Sequence, residues 1–165
     1  MGLTRVASAL FCLGACTSTA QETRRELHPD APPETEAYGR LVGAWSVENY
    51  IIQSDGTWSD EPVKARWDFA YILDGFAIQD TWIEPWPEEP PEGETRHYGT
   101  NIRIYNPAKA QWEMAWISNK EQQLSTFTAT LIDGNIVMRG QHATGNDARI
   151  TFSNISENAF DWTLE

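Results

Sequence analysis

One carboxylate, Asp80, sits inside a run of aromatic and aliphatic residues that folds back on itself. Asp74-Gly75 is a strong signal for a two-residue type I′ hairpin loop. Such a loop sets Leu73 opposite Phe76, Tyr71 opposite Ile78, Phe69 opposite Asp80 and Trp67 opposite Trp82. Successive side chains of a strand point to opposite faces, so these residues share one face. Arg66, Asp68, Ala70, Ile72, Ala77, Gln79, Thr81 and Ile83 take the other. The first face reads as the lining of a cavity, with Asp80 as its polar group. A carboxylate there can accept hydrogen bonds from a bound molecule or act as a general base. It can equally be a structural group satisfied by neighbouring side chains or water. Burial without a partner raises its pKa; pairing with a cation lowers it.

A cation for that role comes from the next hairpin. If Tyr105 opposes Trp112, then Asn101, Arg103 and Tyr105 share a face with Trp112, Met114 and Trp116. With this aromatic face inward, Arg103 lies on the strand beside Asp80, inside the same interior. It then pairs with Asp80, or its planar guanidinium grips a ligand carboxylate at two points. With the other face inward, Arg103 meets solvent and Ile102, Ile104 and Ile117 fill the core. The register across this longer turn is less firmly fixed than the first.

A third pair of strands meets at Asp133-Gly134. Phe127, Ala129, Leu131, Ile136, Met138 and Gly140 form its apolar face, and Ser125 and His142 end that face near one rim. His142 can be a polar contact at a cavity mouth, an acid–base group, or a rim histidine bonded to water. His28 and His97 fall in loops, and three histidines without paired spacing give no metal signature. Trp67, Trp82, Trp112 and Trp116 are the candidate stacking walls, with a fully packed core as the alternative. The loop from Glu84 to His97, carrying Trp86, reads as a lid or as a solvated acidic loop. Asn154-Ile155-Ser156 matches a glycosylation sequon and is discounted behind a bacterial leader.

These residues need strands to hold them, and the chain reads as β from Leu41 onward. No stretch keeps a 3.6-residue period over about ten residues. Strands are expected at about Ala44 to Gln53, Val63 to Leu73, Phe76 to Glu84, Gly99 to Tyr105 and Gln111 to Ile117. Four more follow at Leu124 to Ile132, Asn135 to His142, Arg149 to Ile155, and from Phe160 on. Prolines in Pro85 to Glu94 cannot donate to a ladder and break the pattern there. Consecutive short hairpins predict an all-β, antiparallel up-and-down barrel of about nine strands. The chain stops at Glu165 in mid-strand, so one or more closing strands are expected beyond it.

The region before the strands divides in two. Arg5, the short apolar run Val6 to Ala15, and Leu13-Gly14-Ala15-Cys16 resemble a bacterial lipoprotein leader with Cys16 as the acylated residue. Ser18-Thr19-Ala20 is an alternative site for ordinary signal cleavage. Residues 1–20 are therefore read as leader, 21–38 as a flexible, proline-containing tether, and 39–165 as the barrel domain. Glu36 to Arg40 can form one helical turn or a plug ahead of the first strand. The only cysteines, Cys12 and Cys16, lie in the leader. The domain thus has no disulfide, thiolate metal site or cysteine nucleophile. The full chain carries a net charge of −12, and −13 without residues 1–20. That charge opposes nucleic acid and anionic membrane surfaces.

Leu41-Val42-Gly43-Ala44-Trp45 places Gly-x-Trp at the start of the first strand, which resembles the lipocalin entry motif. Arg66-Trp67-Asp68-Phe69, then Leu73-Asp74-Gly75-Phe76 through Ile83, resemble bacterial lipocalin-like (calycin) domains. So do Gly99 to Pro107 followed by Trp112 and Trp116. The resemblance covers about residues 40–165 and implies a barrel with a ligand cavity, one or two further strands, and no established reaction. The expected function is an exported barrel, in the periplasm or cell envelope or secreted, that binds a small apolar or amphipathic molecule. Trp67, Phe69, Tyr71, Asp80, Trp82, Arg103, Tyr105, Trp112, Trp116 and His142 are the expected ligand-binding residues. No cofactor, metal or nucleic acid is expected, and a membrane only through the lipid on Cys16. The alternatives are an acid–base isomerase or cyclase using Asp80 or His142, and a cell-envelope module with a filled core.

Overall fold

Alternation of apolar and polar residues, punctuated by tight turns, gives nine antiparallel strands, each hydrogen-bonded to its neighbours in sequence. The computed structural model describes residues 26–141 and 145–165. The strands are β1 (Gly43–Asn49), β2 (Val63–Ile72), β3 (Ala77–Glu84), β4 (His97–Asn106), β5 (Gln111–Ser118), β6 (Leu124–Ile132), β7 (Asn135–Gln141), β8 (Asp147–Ser153) and β9 (Asp161–Leu164). The sheet curls strongly into a half-barrel, an arrangement that fits a lipocalin-like barrel in coarse outline. Among the described residues no helix is long and apolar enough to cross a membrane.

The β2–β3 register is the expected one: Trp67 pairs with Trp82, Phe69 with Asp80 and Tyr71 with Ile78. Asp74 (φ 54°) and Gly75 (φ 87°) both occupy the left-handed region, as a type I′ turn requires. Leu73 does so too, at φ 50°. The strand therefore ends at Ile72, and Leu73 swings outward to 63% exposure instead of joining the inner wall. Phe76 also leaves the ladder and stacks on the His28 ring at 4.6 Å. Gly75 permits this docking, since a Cβ there would stand 2.5 Å from the Glu26 carbonyl oxygen and the His28 nitrogen.

In the β4–β5 hairpin Tyr105 opposes Trp112 and Asn101 opposes Trp116. The aromatic face points inward: Arg103, Asn101, Trp112 and Met114 are buried, whereas Ile102, Ile104 and Ile117 are exposed. Some strand ends differ from expectation. β1 stops at Asn49, and Ile51 and Ile52 emerge into an excursion with a lone Ile52–Trp58 bridge. β8 runs two residues earlier at both ends than the expected Arg149 to Ile155.

One end of the half-barrel is covered by the chain that precedes β1. A short 3-10 turn (Pro33–Thr35) leads into a single helical turn, α1 (Glu36–Gly39), where a turn or plug was expected. Packing extends into the stretch read as a tether: Ala31, Thr35 and Tyr38 are buried, as is Leu41 just after it. Tyr38 meets Trp112 and Phe152 edge-on at 5.5 and 6.0 Å, and Tyr71 donates to Glu36 Oε2 at 3.1 Å. Edges β1 and β9 share no ladder. Side chains link them instead: Trp45 packs edge-on against Phe160 at 4.8 Å, and Arg40 donates to the Ile155 carbonyl. Trp67 anchors the interior, with Phe69, Trp82, Phe152 and Trp162 all within 5.5 Å. Each such pair contributes about 0.5–1.5 kcal/mol beyond its area burial.

Candidate functional site

β3 and β4 place the two charges diagonally across one ladder. Asp80 pairs in register with Asn101, and Arg103 with Ile78. Both charged side chains point inward, with 0% and 1% exposure, and Arg103 Nη1 is in direct contact with Asp80 Oδ2. The guanidinium lies between two rings, 4.9 Å from Tyr38 and 5.3 Å from Phe69. The Asn101 N–H donates to Asp80 Oδ1 at 3.2 Å. Burial pushes the Asp80 carboxyl above the usual carboxylate range, and the opposing pull of Arg103 is the smaller effect. The rule that a paired carboxylate titrates low gives way here to the burial of both groups. Burial likewise raises the Tyr38 hydroxyl.

A cavity of about 220 Å³ adjoins this pair. Asp80, Asn101 and Arg103 form its polar base, and Trp67, Trp82, Trp116, Phe152 and Trp162 its aromatic walls, with Phe127, Met138 and Ile150 between them. Its lining extends to the end opposite α1, where it includes the strand-end residues Asn49, Glu84 and His97, with Glu121 beside them. Gly99 lies on the inner face, and a Cβ there would collide with the Trp116 ring, so its bareness makes room for that indole. Trp116 Nε1 donates to Glu121 Oε2 at 3.0 Å, and Ser118 donates to the same oxygen. Burial, then the Lys120 charge, lowers the pKa of His97, against the pull of Glu121 and Glu84. Its ring stands edge-on to Trp116 at 6.2 Å.

Two polar atoms at the base, Asn101 Oδ1 and Arg103 Nε, lack a hydrogen-bond partner among the described residues, while Arg103 Nη1 and the Trp67 indole N–H face Asp80. Arg103 Nη1 and Asp80 Oδ2 satisfy one another as a buried ion pair. Buried polar groups almost always have partners, and each left without one costs about 1–3 kcal/mol. A molecule in the cavity that both donates and accepts hydrogen bonds would satisfy them.

Of the expected residues, Trp67, Asp80, Trp82, Arg103 and Trp116 line this cavity. Phe69, Tyr71, Tyr105 and Trp112 do not, because the preceding chain occupies their end of the barrel. Phe69 supports Arg103, Tyr71 holds Glu36, and Tyr105 packs on Trp112, which meets Tyr38. His142 and Cys16 lie outside the described residues. Glu84 and His97 come from two strand ends and Glu121 from the β5–β6 turn, and they carry no joint signal in sequence. Asn101 shared the face read as inward, and its signal was that position alone. The Glu84 to His97 loop does not cover the mouth. Trp86 sits on the outer side between Arg66 and Arg96, at 5.8 and 5.6 Å, and its backbone N–H donates to the Lys64 carbonyl at 2.9 Å. These cation–π contacts and that hydrogen bond hold it away from the cavity.

No protein-family model matches the chain, and no curated protein matches it. The site is therefore read from its own geometry. Among the described residues no group of three or more His, Cys, Asp and Glu side chains is placed to hold a metal ion.

Proposed function

We propose that this protein is a lipocalin-like binding barrel that holds a small apolar or amphipathic molecule, with its body among Trp67, Trp82 and Trp116 and its polar end against Asp80 and Arg103. The observation that carries the proposal is the set of buried, unpartnered polar atoms facing an aromatic-walled cavity. A barrel kept only for its core would gain by filling that space with side chains. The volume exceeds the roughly 150 Å³ that holds benzene in an engineered cavity and falls below the 300–1,000 Å³ of drug-sized sites. A ring with a short polar substituent is the matching size.

Export belongs to the same proposal and is supported by the leader sequence and Cys16. The full-length protein, soaked with a panel of small aromatic amphiphiles, should retain at least one in native mass spectrometry. Trp116→Ala should weaken that retention. A protein that retains none across the panel would sink the proposal.

A further inference from the structure

We propose that the ligand's head is electrically neutral and both donates and accepts hydrogen bonds, as a primary amide does, and is neither a carboxylate nor an ammonium. The inference rests on the binding reading above and names the chemical class that the site selects.

Charge is the first argument. Arg103 is the sole cation among the lining residues, against the carboxyls of Asp80, Glu84 and Glu121. If Asp80 is ionised, three carboxylates oppose one guanidinium. If it is protonated, two still do. In neither state does the lining carry surplus positive charge for an anionic head. Lys120, outside the lining, is exposed to water, where its charge is screened.

Hydrogen bonding is the second argument. The unpartnered atoms are of both kinds: Arg103 Nε donates and Asn101 Oδ1 accepts. Both side chains are at least nine-tenths buried and line the cavity, beside the Asp80 carboxyl. A carboxylate would satisfy the donor but set its lone pairs against those of Asp80 and Asn101. An ammonium would satisfy the acceptor and leave the donor bare beside a second cation. A primary amide offers a carbonyl to Arg103 and an NH₂ to Asp80 or Asn101. The indoles around the base take the ring.

Phenylacetamide, phenylacetate and phenethylamine present three heads on nearly one skeleton, and calorimetry on the full-length protein at neutral pH ranks them. The amide should bind about tenfold tighter than either charged analogue. In Asp80→Asn the Arg103 charge loses its closest counter-charge, and phenylacetate should gain about tenfold on phenylacetamide. Should that variant not fold, the wild-type ranking alone decides. Phenylacetate or phenethylamine binding most tightly to the wild type would overturn the neutral-head assignment and leave the binding function standing. No binding by any of the three would overturn both.

Discussion

Asp80 and Arg103 are more easily explained by what they face than by what they stabilise. Removing one member of a buried pair strands the other charge, at about 3–5 kcal/mol. Asp80→Ala and Arg103→Met should each lose stability on that scale in urea melts. Replacing both with apolar residues of similar volume is often neutral or better. Asp80→Leu with Arg103→Met should therefore recover most of the lost stability while abolishing ligand retention. A double variant as unstable as the two singles combined would make the pair a structural element. The pH response of Asp80 has a definite sign. Its native pKa is raised by burial, so the folded state binds this proton more tightly than the unfolded chain. That contribution is fully present below the ordinary value of 3.8 and is lost as pH rises through the native value. The stability of the wild type relative to Asp80→Asn should thus rise on going from neutral pH to about pH 4. A fall would mean that the pull of Arg103 exceeds the cost of burial. The position and company of Asp80 were legible from one Asp-Gly turn, because a two-residue loop fixes register for the whole hairpin. The direction of its pKa was not, since it depends on how completely water is excluded.

At the scale of elements, strands were readable and their supports were not. Period-two alternation marks β2 to β7 clearly, and the Tyr105–Trp112 register follows once the aromatic face is taken as inward. Leu73 shows the limit, because one extra left-handed residue at the turn moves a side chain from core to solvent. The segment before β1 carries no periodic pattern, as a four-residue helix is too short to show one. Its fit depends on close approach at the β2–β3 turn, where Gly75 meets the backbone of Glu26 and His28. Gly75→Ala should therefore cost about 1–3 kcal/mol through backbone strain and also loosen this segment. Limited proteolysis should then cut near residues 26–30 faster than in the wild type. Unchanged cleavage would show that Tyr38 and Leu41 hold the segment without the turn.

At the scale of the molecule, hairpin rhythm was enough to give a nine-strand meander, because each strand needs only its sequence neighbours. The cavity mouth was not visible, since Glu84, His97 and Glu121 meet only after every intervening register is set. Neither was the role of the outer loop, where Trp86 prefers two arginines to the mouth. The order of the ladders has a consequence in time. Each ladder joins strands adjacent in sequence, so little chain entropy is lost before its contacts form. Tyr38 is different, because it reaches across most of the chain to Phe152. Its packing is complete only once β8 is in place. Stopped-flow chevrons should therefore show Tyr38→Ala refolding at nearly the wild-type rate and unfolding much faster. If instead the refolding arm slows, Tyr38 belongs to the nucleus. On this reading the residue beneath Arg103 is a late latch, and it sets how long the folded barrel lasts.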